Sequence, residues 1–162
     1  MELTDARALV TGGAGFIGSH LVDALVDRGV RVRVLDDFSS GTRDNLPDGD
    51  GVDVIEGDVR DANALDAATA GVDVVFHEAA VVGVTESVEN PVGTHGINAT
   101  GGLNVLDAVL GNHSKRHSRY SLEIVLGTRR DAAKNNLFSH TSAQKRTDLI
   151  IKLFGSHKES IL

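Results

Sequence analysis

No cysteine occurs among these 162 residues, so neither a disulfide framework nor a cysteine-ligated zinc or iron–sulfur site is available. Redox chemistry therefore leaves the compartment open. No apolar run reaches bilayer-spanning length, and the first residues lead almost directly into an apolar strand without the basic and apolar regions of a secretory leader. The expectation is a cytoplasmic protein with no membrane partner. Lysine is absent from residues 1–110, where 19 Asp and Glu stand against six Arg for a net of −13. Such a surface repels polyanions, which argues against a nucleic-acid partner, and it also fits adaptation to high salt. Residues 111–162 reverse the balance, with four acidic and ten basic residues and a net of +6, which brings the whole chain to −7. Glycine falls from 15 to three across the same point. This break predicts one domain over 1–110 and a divergent basic segment over 111–162.

What the first part has in plenty is glycine, and it is concentrated where it matters. Leu9-Val-Thr-Gly-Gly-Ala-Gly-Phe-Ile-Gly-Ser-His20 joins an apolar strand to an amphipathic helix through a glycine turn. Gly12, Gly15 and Gly18 permit a positive φ, approach of a diphosphate to bare backbone, and tight packing of helix on strand. A helix starting near Phe16 presents unpaired N–H groups and the positive end of its dipole to the anion. Gly29 falls where a C′ glycine would stop that helix. A second strand, 30–35, ends in Asp36-Asp37, where a carboxylate is placed to take the ribose hydroxyls of an adenosine.

The rest of the first part repeats the alternation. Val52–Glu56 is a third strand; Asp61 is the expected N-cap of a helix over 62–70 with Leu65, Ala68 and Thr69 inward; 72–76 is a continuous apolar strand suited to burial on both faces. A loop is expected from His77 to Asn90. A long helix from Pro91 to Leu110 follows, with Ala99, Leu103, Leu106 and Leu110 as its buried stripe. The order gives an α/β fold, a Rossmann-type doubly wound parallel sheet with right-handed crossovers. Beyond Gly111, residues 121–126 are a candidate fifth strand, and Thr141 with Gln144 forms a capping box for a last helix.

Residues 1–110 resemble the extended short-chain dehydrogenase/reductase family, in particular its NAD-dependent sugar-nucleotide epimerases and dehydratases of the UDP-glucose 4-epimerase type. The resemblance rests on the segment Val10–His20, on Asp36-Asp-Phe-Ser-Ser-Gly41, on Gly57-Asp-Val-Arg60, on His77-Glu-Ala-Ala80, on Glu86–Pro91 and on Asn98-Ala-Thr-Gly-Gly-Leu103. It implies NAD as cofactor and a nucleotide sugar as substrate of the intact enzyme. By the same resemblance Gly12, Gly15, Phe16, Ile17 and Gly18 hold the diphosphate. Asp36, with Asp37 and Phe38 beside it, meets the adenosine ribose, and Asp58 with Val59 meets the adenine. Ala79 and Ala80 line the cofactor, and Asn98 reaches it from the long helix. Glu78 stands where the family carries an apolar residue.

The family's chemistry uses a Tyr-x-x-x-Lys pair, in which the tyrosine exchanges a proton as hydride moves and the lysine lowers its pKa. The one tyrosine here, Tyr120, is followed four positions on by Ile124, so no catalytic residue is assigned. Thr128 stands near the place of the family's Ser or Thr, but a threonine after an apolar run is commonly ordinary. The motif pattern and the C-terminal substrate lobe are not found after Leu110. The expectation is a truncated, catalytically incomplete NAD-binding part of an epimerase or dehydratase; the alternative is a non-catalytic NAD-binding or regulatory domain, or the remnant of an interrupted gene. His113 and His117 lack a third ligand at a telling interval, so no metal site is expected. Lys115, Arg116, Arg119, Arg129 and Arg130 read as solvated, and a homodimer is left open.

Overall fold

The structure, a computed structural model, describes residues 6–114 and 124–126. Five parallel strands, β1 (Arg7–Thr11), β2 (Arg31–Asp36), β3 (Val52–Glu56), β4 (Val74–His77) and β5 (Ile124–Leu126), form one sheet in the order β3-β2-β1-β4-β5. This is the doubly wound order, with the chain moving outward from β1 in one direction and then in the other. Thr11 at the end of β1 is level with Leu35 of β2 on one side and His77 of β4 on the other.

Side chains alternate across the sheet and give it two cores. On one face Ala8, Val10, Val32, Val34, Val74 and Phe76 pack against Leu21, Val22 and Leu25 of α1 (Phe16–Val26). On the other, Leu9, Leu35 and Val75 pack with Leu65 and Ala68 of α2 (Ala62–Thr69) and with Val105 and Val109 of α5 (Gly102–Ser114). Fully burying each large side chain contributes about 1.5–3 kcal/mol, which is why the continuous apolar runs settle as central strands.

The helix ends follow their local chemistry. At Gly29, φ is +76°, its N–H donates to the Val26 carbonyl (2.8 Å), and Val30 N–H reaches the Leu25 carbonyl (3.1 Å), a Schellman stop. Asp61 caps α2 by accepting from Asn63 N–H at 2.9 Å and Ala64 N–H at 3.5 Å. The other end of α2 is held from the sheet. Arg33 of β2 donates through one nitrogen to the carbonyls of Ala67, Ala68 and Ala70 and through Nε to Asp53, placing a cation at the negative end of the helix.

Two expectations about residues 77–110 need correction. The expected loop contains a short helix, α3 (Val84–Glu89), ahead of α4 (Pro91–His95). The long helix is also not uniform, because residues 96–101 form a π-helical stretch between α4 and α5. A stripe counted from Ala99 at 3.6 residues per turn loses phase across that wider turn. Leu103 and Leu110 consequently face solvent, at 65% and 57% exposure, while Val105 and Val109 are the buried residues. The strand expected over 121–126 is seen at Ile124–Leu126, parallel to β4. His117, Tyr120, Thr128, the basic cluster from Lys115 to Arg130 and the Thr141–Gln144 capping box lie outside the described residues.

Candidate functional site

The glycine turn lies at the carboxyl ends of β1 and β4, and its three glycines do three separable things. Gly12 takes φ +67°, and a Cβ on it would stand 2.6 Å from Ala79 N. Gly18 lets α1 settle on the turn, since a Cβ there would stand 2.1 Å from Gly12 O. Gly15 differs from both, with ordinary extended angles of −76° and 175° and only Gly12 O within 4 Å of its would-be Cβ, at 3.3 Å. Its open side is the approach to bare backbone. The first intrahelical bond of α1 is Ser19 N–H to Gly15 O (2.9 Å); the N–H groups of Phe16, Ile17 and Gly18 precede it, as the free donors of a helix N-terminus do. Phe16 itself is 72% exposed, and its ring meets His20 edge-on.

Asp36 is buried at the end of β2, and both of its oxygens are engaged. Oδ2 accepts from Ala14 N–H and Oδ1 from Phe38 N–H, each at 2.8 Å. Asn45 Nδ2 donates to the carbonyl of the same Ala14 at 2.8 Å, so the two peptide groups flanking one residue of the turn are both held. Phe38 adopts φ +56° to deliver its N–H, an uncommon conformation for a bulky residue, and its ring packs against the α1-side core. Gly41 must approach Ala14 closely, since a Cβ there would stand 2.5 Å from the Ala14 carbonyl carbon. Asp37 is exposed and closes its own turn onto Ser39 N and Oγ.

Asp58 and Val59 follow β3. Arg60 holds the Asp58 carboxylate through its backbone N–H (2.7 Å), Nε and Nη2, and that hydrogen bonding keeps the Asp58 carboxyl below the usual carboxylate range. Val59 is buried, and Gly101 of the π-helical stretch packs so closely on it that a Cβ would stand 2.5 Å from Val59 Cγ2. From the same stretch, Asn98 meets Val81 twice at 2.8 Å, Nδ2 donating to its carbonyl and Oδ1 accepting from its N–H. The side chain acts like a strand partner for residue 81. Ala79 lies against Gly12, and Ala80 is exposed.

Several participants were not singled out in the sequence. Thr11 Oγ1 bonds His77 Nδ1 at 2.7 Å and accepts from Ala79 N–H at 3.4 Å. Burial lowers the His77 pKa and keeps the ring neutral. Neighbouring Glu78 is half-buried with no side-chain hydrogen bond among the described residues, and desolvation pushes its pKa up to about 7. Ala14 and Asn45 also act through contacts that only the fold creates, whereas Gly41 and Arg60 lay within motifs already noted.

The model of the NAD dependent epimerase/dehydratase family matches residues 8–141. It runs some thirty residues past Leu110, where the recognisable motifs end. UDP-glucose 4-epimerase of Azospirillum brasilense is 42% identical over 106 residues, covering 64% of this chain and 30% of that protein. The UDP-N-acetylglucosamine 4-epimerase of Methanobrevibacter ruminantium, solved with UDP-N-acetylmuramic acid, superposes with a TM-score of 0.68 at 28% identity, over 93% of this chain and 51% of that one. Thermus thermophilus UDP-glucose 4-epimerase in complex with NAD gives 0.63 at 31% identity, with the same coverages. The chain thus spans about a third of that curated relative and about half of these solved structures.

Proposed function

This chain belongs to the NAD dependent epimerase/dehydratase family, and from that premise we propose that it is the NAD-binding part of a nucleotide-sugar epimerase or dehydratase. The observation that carries the reading is the open side of Gly15 between two glycines that the fold itself requires. A cradle that excludes side chains at Gly12 and Gly18, and leaves Gly15 bare beside free helix N–H groups, fits a diphosphate without any basic residue. In this reading Gly12, Gly15, Phe16, Ile17 and Gly18 hold the diphosphate. Asp36 takes the ribose hydroxyls with its remaining acceptor capacity, flanked by Asp37 and Phe38. Asp58 and Val59 bound the adenine, while Ala79 and Ala80 form the wall that Asn98 holds in place. When bound, NAD supplies a nicotinamide that accepts and returns hydride.

A 2′-phosphate would meet the Asp36 carboxylate, so NAD+ is the expected form. Titration of the protein with NAD+ and NADP+ tests this, and tighter binding of NADP+ would overturn it. Binding without turnover is also expected of these 162 residues by themselves. A positioned proton donor contributes about 10²–10⁴-fold to such reactions, and the Tyr-x-x-x-Lys pair is absent from the sequence. Purified protein with NAD+ and UDP-glucose or UDP-galactose should show neither sugar interconversion nor NADH absorbance. Sustained turnover that survives Tyr120→Phe would refute this part of the reading.

A further inference from the structure

The carbonyl of Phe16 is held by more donors than a helix requires. In the regular bonding of α1 it accepts from His20 N–H, and that bond alone would satisfy it. Two side chains add to it. His20 Nδ1 lies 2.7 Å from the oxygen, and Ser19 Oγ donates to it at 3.3 Å. A carbonyl can only accept, so His20 Nδ1 carries the proton of the shorter bond. The imidazole is steadied from one side as well, since the Phe16 and His20 rings meet edge-on with centroids 4.9 Å apart.

These donors bear on the other end of the same peptide. Phe16 C=O and Ile17 N–H belong to one planar trans unit and point opposite ways along the helix. The carbonyl faces into α1, and the N–H faces out of its first turn, where no earlier carbonyl of the helix can meet it. Donors gathered on the oxygen fix the plane of the unit and polarise it, which strengthens the N–H as a donor. The helix itself gains little from the imidazole bond, which is exposed and made to a carbonyl that the main chain already serves.

Resting on the reading that the chain binds NAD, we propose that His20 is a positioning residue for the cofactor's diphosphate. Through the Phe16 carbonyl it holds and polarises the peptide whose N–H, that of Ile17, meets the anion. It acts through the backbone and needs neither contact with a phosphate nor a charge. Residues 1–110 hold no lysine, and a strengthened main-chain donor serves in place of one.

Calorimetric titration of the whole 162-residue chain with NAD+, together with amide NMR of the same proteins, tests this. His20→Leu should weaken NAD+ binding about three- to tenfold, the range for loss of one hydrogen bond, without lowering the thermal midpoint. His20→Asn should bind within about twofold of wild type, because its Nδ2 can donate from the place of the imidazole Nδ1 and carries no charge. In the free proteins the Ile17 amide proton should lie further upfield in His20→Leu than in His20→Asn, two variants that share the loss of the ring. Unchanged NAD+ affinity in His20→Leu overturns the proposal. A His20→Asn protein that binds no better than His20→Leu overturns it too, since the ring or its charge would then be the active feature. So does an Ile17 amide that lies at the same position in both variants. A wild type that does not bind NAD+ refutes the NAD reading itself, and the proposal with it.

Discussion

Gly18→Ala and Gly15→Ala, three residues apart at the start of α1, should fail in different ways. At Gly18 the new methyl would stand 2.1 Å from Gly12 O, 2.7 Å from Gly13 Cα and 2.8 Å from the Gly12 carbonyl carbon. All three are main-chain atoms that no rotamer change can move aside. Relief requires α1 to withdraw from the turn by about 1 Å, at an overpacking cost near 3 kcal/mol, the upper end for such insertions. Alanine regains about 1 kcal/mol of helix propensity, so the clash wins by about 2 kcal/mol. For a chain of this length that lowers the thermal midpoint by about 4–8 °C. Gly15 has ordinary angles and a single neighbour at 3.3 Å. A small capping loss there is offset by reduced freedom of the unfolded chain, and the net should stay within about 1 kcal/mol. The methyl would nevertheless stand on the open side of the turn, and NAD+ affinity should fall at least about tenfold by steric exclusion of the diphosphate. Circular-dichroism melting and NAD+ calorimetry on both variants separate the two effects. A Gly18→Ala protein that melts and binds like wild type, or a Gly15→Ala protein that loses as much stability as Gly18→Ala, would refute the division of labour.

Three further perturbations follow from the geometry. Because burial raises the Glu78 pKa to about 7, the folded state keeps a proton that the unfolded state releases above its ordinary value near 4.5. Stability should therefore decline as pH rises from about 4.5 to 7, by about 3 kcal/mol at most. Glu78→Gln should flatten that decline in urea titrations at several pH values; His77, whose pKa is lowered, contributes the opposite slope below about pH 6.5 and is common to both proteins. Asn98→Ala removes two 2.8 Å bonds to Val81; being exposed, they contribute about 1–2 kcal/mol together. Amide exchange should accelerate at Val81 while β1 stays protected. Asp36→Asn leaves one backbone N–H of Ala14 or Phe38 facing an amide NH₂, a loss of about 1–3 kcal/mol readable as a lower denaturation midpoint even without cofactor.

What the sequence made legible were features written in neighbouring residues. The Val52–Glu56 strand, the Asp61 cap and the Gly29 stop are each encoded within a few positions, and each is found where the pattern put it. The doubly wound order followed from alternating strands and helices, since right-handed crossovers leave few arrangements. Illegible features depend on residues that meet only after folding. The phase of the α5 face was one, because a count by helical period cannot see the π-helical stretch before it. The Thr11–His77 bond, 66 residues apart, was another, although both residues end strands that the turn requires to be adjacent. Arg33 reads as a charged break in an apolar strand; only the position of α2 reveals it as the group that binds three carbonyls.

The central place of β1 also sets a timetable for the nascent chain. Its partner on one side, β2, is complete at Asp36, but its partner on the other, β4, is complete only at His77. At synthesis rates of about 5–20 residues per second, roughly 2–8 s separate the two. During that interval one backbone edge of Ala8, Leu9 and Val10 has no strand to receive, although these are among the most apolar residues in the molecule. A chain emerging from the ribosome is therefore most vulnerable to mispairing between the appearance of β2 and that of β4, and a trigger-type chaperone acting in that window would protect it more than one acting after release.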